Sequence, residues 1–197
     1  MSSHAVSRRL VLADFVSEAV VSQILLVVGY AAIIGLTAQI VIVLPFTPVP
    51  ITGQTFGVLV GAMVLGSRRA VAGSLLYLGL GLLGIPWFAG SSGGLKVVST
   101  PTFGYLLGFV LASFVVGTLA EKGLDRKLLG TLGVMVVGNL LIYILGAGWL
   151  AFVSGLGVKD ALILGVLPFL IGDGLKALLA DVLLPTTWKV LDRFEPK

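Results

Sequence analysis

Pro168-Phe169-Leu170-Ile171-Gly172-Asp173-Gly174-Leu175-Lys176-Ala177-Leu178-Leu179-Ala180 is an apolar stretch interrupted by one acid and one base three residues apart. At i,i+3 on a helix, Asp173 and Lys176 share a face and can meet. A charged side chain at bilayer depth costs about 2.5–3.5 kcal/mol even on insertion scales, so such residues turn toward a cavity or toward each other. The stretch therefore reads as a membrane helix that carries a ligand site. The competing reading is a structural Asp-Lys pair that satisfies itself. Gly172 and Gly174, which flank the aspartate and open room beside it, favour a pocket.

The rest of the chain supports the membrane assignment. Of 197 residues 57% are hydrophobic and 11% charged, with a mean hydropathy of +1.12. That leaves too little polar surface to cover a soluble globule. The apolar runs between charges predict six transmembrane helices, at about 19–44, 53–66, 70–88, 102–120, 128–152 and 167–188. The expected fold is an all-α integral membrane protein, a six-helix bundle over 19–190, with short tails at 1–18 and 191–197. The run at 53–66 would reach only about 21 Å, short for a hydrocarbon core of about 30 Å, which leaves a re-entrant hairpin with the next segment as an alternative. Against it stands Ser67-Arg68-Arg69, read as a loop at an interface.

Charge distribution predicts the orientation. If the spans alternate, ten of the 13 lysines and arginines fall on one side: Arg8, Arg9, Arg68, Arg69, Lys122, Arg126, Lys127, Lys189, Arg193 and Lys197. The other side receives Lys96 and Lys159, and Lys176 lies within the membrane. The positive-inside rule then places both termini in the cytoplasm. The net charge of +4 reflects these loops and gives no reason to expect nucleic acid as a partner. Ser7-Arg8-Arg9 resembles the start of a twin-arginine signal, but Asp14 and Glu18 interrupt the apolar region such a signal needs. The tail reads as a short amphipathic lead-in.

Two loops on the less basic side are unusual. Leu44-Pro45-Phe46-Thr47-Pro48-Val49-Pro50-Ile51-Thr52 carries three prolines, which fix an extended, stiff connector. Ile85-Pro86-Trp87-Phe88-Ala89-Gly90-Ser91-Ser92-Gly93-Gly94-Leu95-Lys96 pairs aromatics with glycines and reads as a lid, or, for Trp87, as an interfacial anchor. Thr52-Gly53-Gln54-Thr55-Phe56-Gly57 and Ser99-Thr100-Pro101-Thr102-Phe103-Gly104 echo each other. In each the threonine can cap a helix start, and glycines four apart (Gly57 and Gly61, Gly104 and Gly108) predict close helix packing. Ala31 and Gly35 offer another small-residue face for a neighbouring helix or a second protein.

Other chemistry is poorly supplied. Gly79-Leu80-Gly81-Leu82-Leu83-Gly84 matches a dinucleotide fingerprint but lies inside an apolar span, where glycine-rich helix packing is the better account. No P-loop occurs, so an ATP-driven step would come from a partner. The single histidine, His4, lies in the tail and cysteine is absent, so neither a histidine triad nor a Cys/His metal site is available. Asp173 and Asp181 on one helix would stand about 12 Å apart, too far to share a proton. What remains is binding, at about 7 Å (Asp173) and 12 Å (Lys176) below the helix start near Pro168. A ligand there should carry both donors and acceptors beside an apolar body.

Ala38-Gln39-Ile40, the proline loop 44–52, Gln54-Thr55-Phe56, Gly84-Ile85-Pro86-Trp87-Phe88-Ala89-Gly90, Pro101-Thr102-Phe103-Gly104-Tyr105-Leu106 and Pro168 to Lys176 resemble, in order, the signature of the BioY family. These are biotin-specific S components of energy-coupling factor (ECF) vitamin transporters, multi-pass proteins of the bacterial or archaeal cell membrane. The resemblance implies a non-enzymatic subunit that captures biotin from outside and delivers it inward with a coupling transmembrane protein and ATPase subunits. Those partners would use the ATP, and this chain would bind no cofactor and no metal. Asp173 and Lys176 would contact the polar parts of biotin, and the expected binding set adds Gln54, Trp87, Phe88, Tyr105 and Asn139. Ala31 and Gly35 stand where S components carry a motif for docking on the coupling protein. Membrane lipid surrounds such a chain, and a homo-oligomer is compatible with it. Two rival classes are a proton-coupled secondary transporter using Asp173 and a non-transporting assembly subunit.

Overall fold

The computed structural model describes residues 11–16, 19–191 and 193. The tail carrying Arg8 and Arg9 lies outside them. The described residues are mostly helical: α1 (Val20–Thr37), α2 (Gln54–Leu65), α3 (Ser67–Leu82), α4 (Phe103–Glu121), α5 (Leu128–Ser154), α6 (Val158–Gly165) and α7 (Leu170–Leu191). Among the described residues four stretches are long and apolar enough to cross a membrane: Val20–Thr37, Phe103–Glu121, Leu128–Ser154 and Val158–Leu191, the last combining α6 and α7.

Several predicted boundaries shift. The first helix ends at Thr37 rather than 44, because the chain turns back on itself before the prolines. Val41–Ile42 (β1) pairs antiparallel with Ile51–Thr52 (β2), and the proline loop is the connection between them. Ser67, Arg68 and Arg69 are not a loop but the first turn of α3. Gly66 alone reverses the chain, at φ +79, a conformation that glycine adopts without steric cost. Thr102 makes no side-chain cap at the start of α4, whereas the Thr52 hydroxyl accepts from the Gln54 backbone N–H at 3.3 Å.

Glycine spacing does set the packing of α4 on α5. Positions where Cβ atoms would stand at Gly104 and Gly108 are taken by backbone atoms of Leu145 and Ile142, so the two helices meet main chain to main chain. Tyr30 of α1 fills the space left by Gly61 of α2 and Gly73 of α3. Its hydroxyl donates to the Val58 carbonyl at 2.8 Å and shares a hydrogen bond with Ser113.

The two ends of the bundle differ in chemistry. At one end the Glu121 carboxylate accepts from the backbone N–H and the hydroxyl of Ser67, both at 2.9 Å, satisfying an open donor at the start of α3. Arg69 pairs with Asp14 at 2.7 Å. Fully buried Asp125 accepts from the Trp188 indole at 2.7 Å, and the Arg126 guanidinium lies 4.1 Å above the Trp188 ring. At the other end, α6 stops at Gly165 and a 3-10 turn (Leu167–Phe169) leads into α7. The last α6 carbonyls, which have no partner within that helix, accept from side chains: Leu164 from Thr47 at 2.7 Å, and Gly165 from Tyr105 at 2.6 Å. These two bonds fasten the proline loop and α4 around the start of α7.

Candidate solute-binding site

A cavity of about 430 Å³ opens at that end, a volume within the range of about 300–1,000 Å³ usual for small-ligand sites. The proline loop and the start of α2 form one wall, and the aromatic loop with the start of α4 forms another. Tyr143 of α5, Phe169 and the first turns of α7 close it.

Its buried polar end is a five-residue cluster. Asp173 Oδ1 accepts from Lys176 Nζ and Thr55 Oγ1, each at 2.7 Å, and Oδ2 accepts from the Tyr143 hydroxyl at 2.5 Å. Lys176 Nζ also donates to the Thr52 carbonyl and to Thr55 Oγ1, both at 2.8 Å. All three ammonium protons are therefore committed. A carboxylate has about four acceptor sites, so Asp173 keeps room for one further donor. Neither simple sequence reading suffices: the ion pair is satisfied within the protein, yet it stands in a cavity wall with acceptor capacity left.

The apolar wall is aromatic. Phe88, Tyr105 and Phe169 are buried and line the space. Tyr105 lies over Gly146, where any side chain would collide with its ring. Gln54 Nε2 donates to the Tyr77 hydroxyl at 2.8 Å and stiffens the start of α2. Gln39 fastens the aromatic loop to α1, donating to the Gly35 and Trp87 carbonyls at 3.0 Å and accepting from Ser91 at 3.2 Å.

Of the seven expected binding residues, the cavity gathers five: Asp173, Lys176, Gln54, Phe88 and Tyr105. Trp87 and Asn139 lie outside its wall. Phe88 and Ser92 form an isolated antiparallel bridge, and neighbouring side chains in extended backbone point to opposite sides. Phe88 therefore faces the cavity, while Trp87 turns to the α1–α3 seam and donates its indole N–H to the Tyr77 carbonyl at 3.0 Å. Asn139, one helical turn before Tyr143 on α5, is buried and its Oδ1 has no hydrogen-bond partner. Ala31 and Gly35 also depart from expectation. Both are buried, and a Cβ on Gly35 would stand 3.2 Å from Trp87 Cε3. The small size of Gly35 serves the seat of Trp87 inside the chain. The exposed side of α1 presents Ile33 and Leu36 instead. Gly172 and Gly174 do not open the pocket either, since Gly174 is exposed and Asp173 alone of the three lines the cavity.

Sequence reasoning missed Thr52, Thr55, Tyr143, Phe169 and Lys96. Tyr143 carried a usable signal, a phenol in an otherwise apolar run that needs a partner for its hydroxyl. Lys96 lines the cavity and is exposed, and it makes no ion pair among the described residues. The cavity thus runs from a basic, solvent-accessible rim to a buried polar end.

Fold and site define a multi-pass membrane protein built around a solute-sized cavity that is aromatic along its wall and charged at depth. The chain belongs to the BioY family, whose profile matches residues 7–193. It is 38% identical over 160 residues to the biotin transporter BioY of Rhizobium etli, covering 78% of this chain and 85% of that protein. It is 40% identical over 161 residues to the probable biotin transporter BioY of Pyrococcus horikoshii, covering 82% and 93%. Its fold is similar to the crystal structure of the S-component for biotin from an ECF-type ABC transporter, with a TM-score of 0.78 at 27% identity over 86% of this chain and 92% of that one.

Proposed function

We infer that this chain is a biotin-specific S component of an ECF transporter, a membrane subunit that binds biotin and takes no part in covalent chemistry. The observation that carries the reading is the cavity itself: an aromatic slot ending at Asp173, in a member of a family whose named relatives transport biotin. Biotin offers ureido N–H donors, a ureido oxygen, an apolar bicycle and a carboxylate. The remaining acceptor site of Asp173 suits a ureido N–H. Phe88, Tyr105 and Phe169 suit the bicycle. Because the Lys176 protons are already committed, the free cation at the rim, Lys96, suits the carboxylate.

The proposed topology has six spans, α6 and α7 together making the last, with both termini in the cytoplasm and the cavity opening outward. The support is that Arg69, Arg126 and Lys189 stand at helix ends and connections opposite the cavity. In this arrangement the chain resides in a bacterial or archaeal cell membrane. It hands biotin inward together with a coupling transmembrane protein and ATPase subunits, which supply the ATP hydrolysis.

Equilibrium binding of biotin to the purified chain tests the reading, with Asp173→Asn measured beside it. Binding by the intact chain that the substitution strongly weakens is expected. An intact chain that binds no biotin, or a variant with unchanged affinity, would refute the assignment.

A further inference from the structure

The aromatic loop contributes to the cavity wall through a short turn. Phe88 and Ser92 exchange main-chain hydrogen bonds at 3.0 and 3.3 Å, and Phe88, Ala89 and Ser92 line the cavity. Between them the chain takes an unfavourable route. Ser91 has φ +54 and is the one non-glycine among the described residues with left-handed backbone. Such a conformation crowds a Cβ and persists where the surroundings hold it.

An exposed side chain supplies that hold. Gln39 follows the end of α1, on a backbone fixed by wholly buried Ala38. Its Nε2 donates to the Gly35 carbonyl in the last turn of α1 and to the Trp87 carbonyl, both at 3.0 Å, with the Phe88 carbonyl a further acceptor at 3.4 Å. Its Oε1 accepts from the Ser91 hydroxyl at 3.2 Å. The bond to Gly35 anchors the amide to α1, and the others grip the loop on both sides of its tip. An amide suits this set of partners, because a carboxylate donates nothing and an ammonium accepts nothing.

We propose that Gln39 is a positioning residue that clasps the 88–92 turn against α1 and thereby sets how long a bound solute is retained. The clasp itself is independent of any ligand; its effect on retention rests on the biotin-binding reading above. The cavity reaches exposed Lys96 while the clasp is closed, so a solute enters without opening it. Once inside, a solute packed on Phe88 is held only as firmly as that wall, and loss of the clasp acts on dissociation.

Stopped-flow measurement of biotin association and dissociation on the purified full-length chain tests the proposal. Gln39→Ala should raise the dissociation rate about tenfold and change the association rate by less than about twofold. Gln39→Glu, which keeps the length and the acceptor for Ser91 but loses both donors, should dissociate as fast as Gln39→Ala. Ser91→Ala should raise the dissociation rate in the parent and add nothing in Gln39→Ala, since two residues sharing one interaction are not additive. An unchanged dissociation rate in Gln39→Ala, a loss expressed in association, or additive effects of the two alanines would overturn the effect on retention. Ser91→Ala alters one exposed hydroxyl, and its dissociation rate decides the outcome should Gln39→Ala not fold. Hydrogen exchange of the ligand-free chain reads the clasp directly: the paired Phe88 and Ser92 amides should exchange faster in Gln39→Ala, or in Ser91→Ala, than in the parent. Unchanged exchange would overturn the clasp. A parent that binds no biotin would refute the solute reading, and the exchange result would still decide the clasp.

Discussion

The Tyr143 hydroxyl donates to Asp173 Oδ2 at 2.5 Å, across 30 residues of sequence and between two antiparallel helices. This bond leaves Oδ1 to Lys176 and Thr55, and so fixes which edge of the carboxylate keeps acceptor capacity. Removing it should disturb binding before it disturbs folding. Tyr143→Phe is expected to weaken biotin binding about tenfold, the loss of one hydrogen bond to a charged group. Asp173→Asn should cost about 100-fold or more, because it leaves the Lys176 ammonium without its buried counter-charge. Equilibrium binding on both variants gives the order, and a larger loss in Tyr143→Phe would contradict the assigned roles.

Lys96 and Lys176 are expected to differ in what they recognise. Lys96→Ala should weaken binding of biotin about tenfold and leave binding of biotin amide, which lacks the carboxylate charge, unchanged. Lys176→Ala should impair both ligands, since it disassembles the cluster around Asp173. Competition binding with the two ligands separates these patterns.

Gly35 is expected to act on the cavity through Trp87. A leucine there begins with a Cβ 3.2 Å from the Trp87 ring and must displace it. Phe88, the next residue, forms part of the cavity wall. Gly35→Leu should therefore weaken biotin binding in the isolated chain. Gly35→Ala, which asks the ring to give by only a few tenths of an ångström, should weaken it less. Unchanged binding in both would show that the Trp87 seat does not shape the cavity.

Asp125 supplies a pH prediction outside the membrane spans. Burial pushes its carboxyl above the ordinary 3.8, opposed by the Trp188 hydrogen bond, its own backbone and Arg126. A raised folded-state value means that folding favours the protonated acid. The corresponding stability is full below 3.8 and is lost as pH rises through the folded value. Asp125→Asn retains an acceptor for the Trp188 indole without the charge, so its thermal unfolding midpoint in detergent should exceed that of the parent at pH 7 and vary less with pH. Asp125→Ala should lose about 1–3 kcal/mol by leaving the buried indole N–H without a partner.

Asp173 and Lys176 were legible because a charge in an apolar run is conspicuous and i,i+3 spacing is a local property of any helix. The proline loop was legible as an extended segment for the same local reason, although its strand pairing was not. Trp87 and Phe88 were named together as ligand contacts, and only the bridge between Phe88 and Ser92 separates them. Ala31 and Gly35 offer a face for a neighbouring helix or a second protein, and sequence leaves that choice open because small residues four apart announce close packing without naming the partner.

The sequence by itself determined that this is a helical membrane protein with one charged pair at depth, since hydropathy and helical spacing are local quantities. The tertiary structure decided that Tyr143, Thr52 and Thr55 surround that pair, that Lys96 stands at the rim, and that Gly35 faces Trp87. The physical reason is the solvent. In water a helix turns its polar side outward and so records its orientation in its sequence. In lipid the outer face of α4, α5 or α7 is as apolar as the inner one, and only packing against the neighbouring helices fixes which residues look into the cavity.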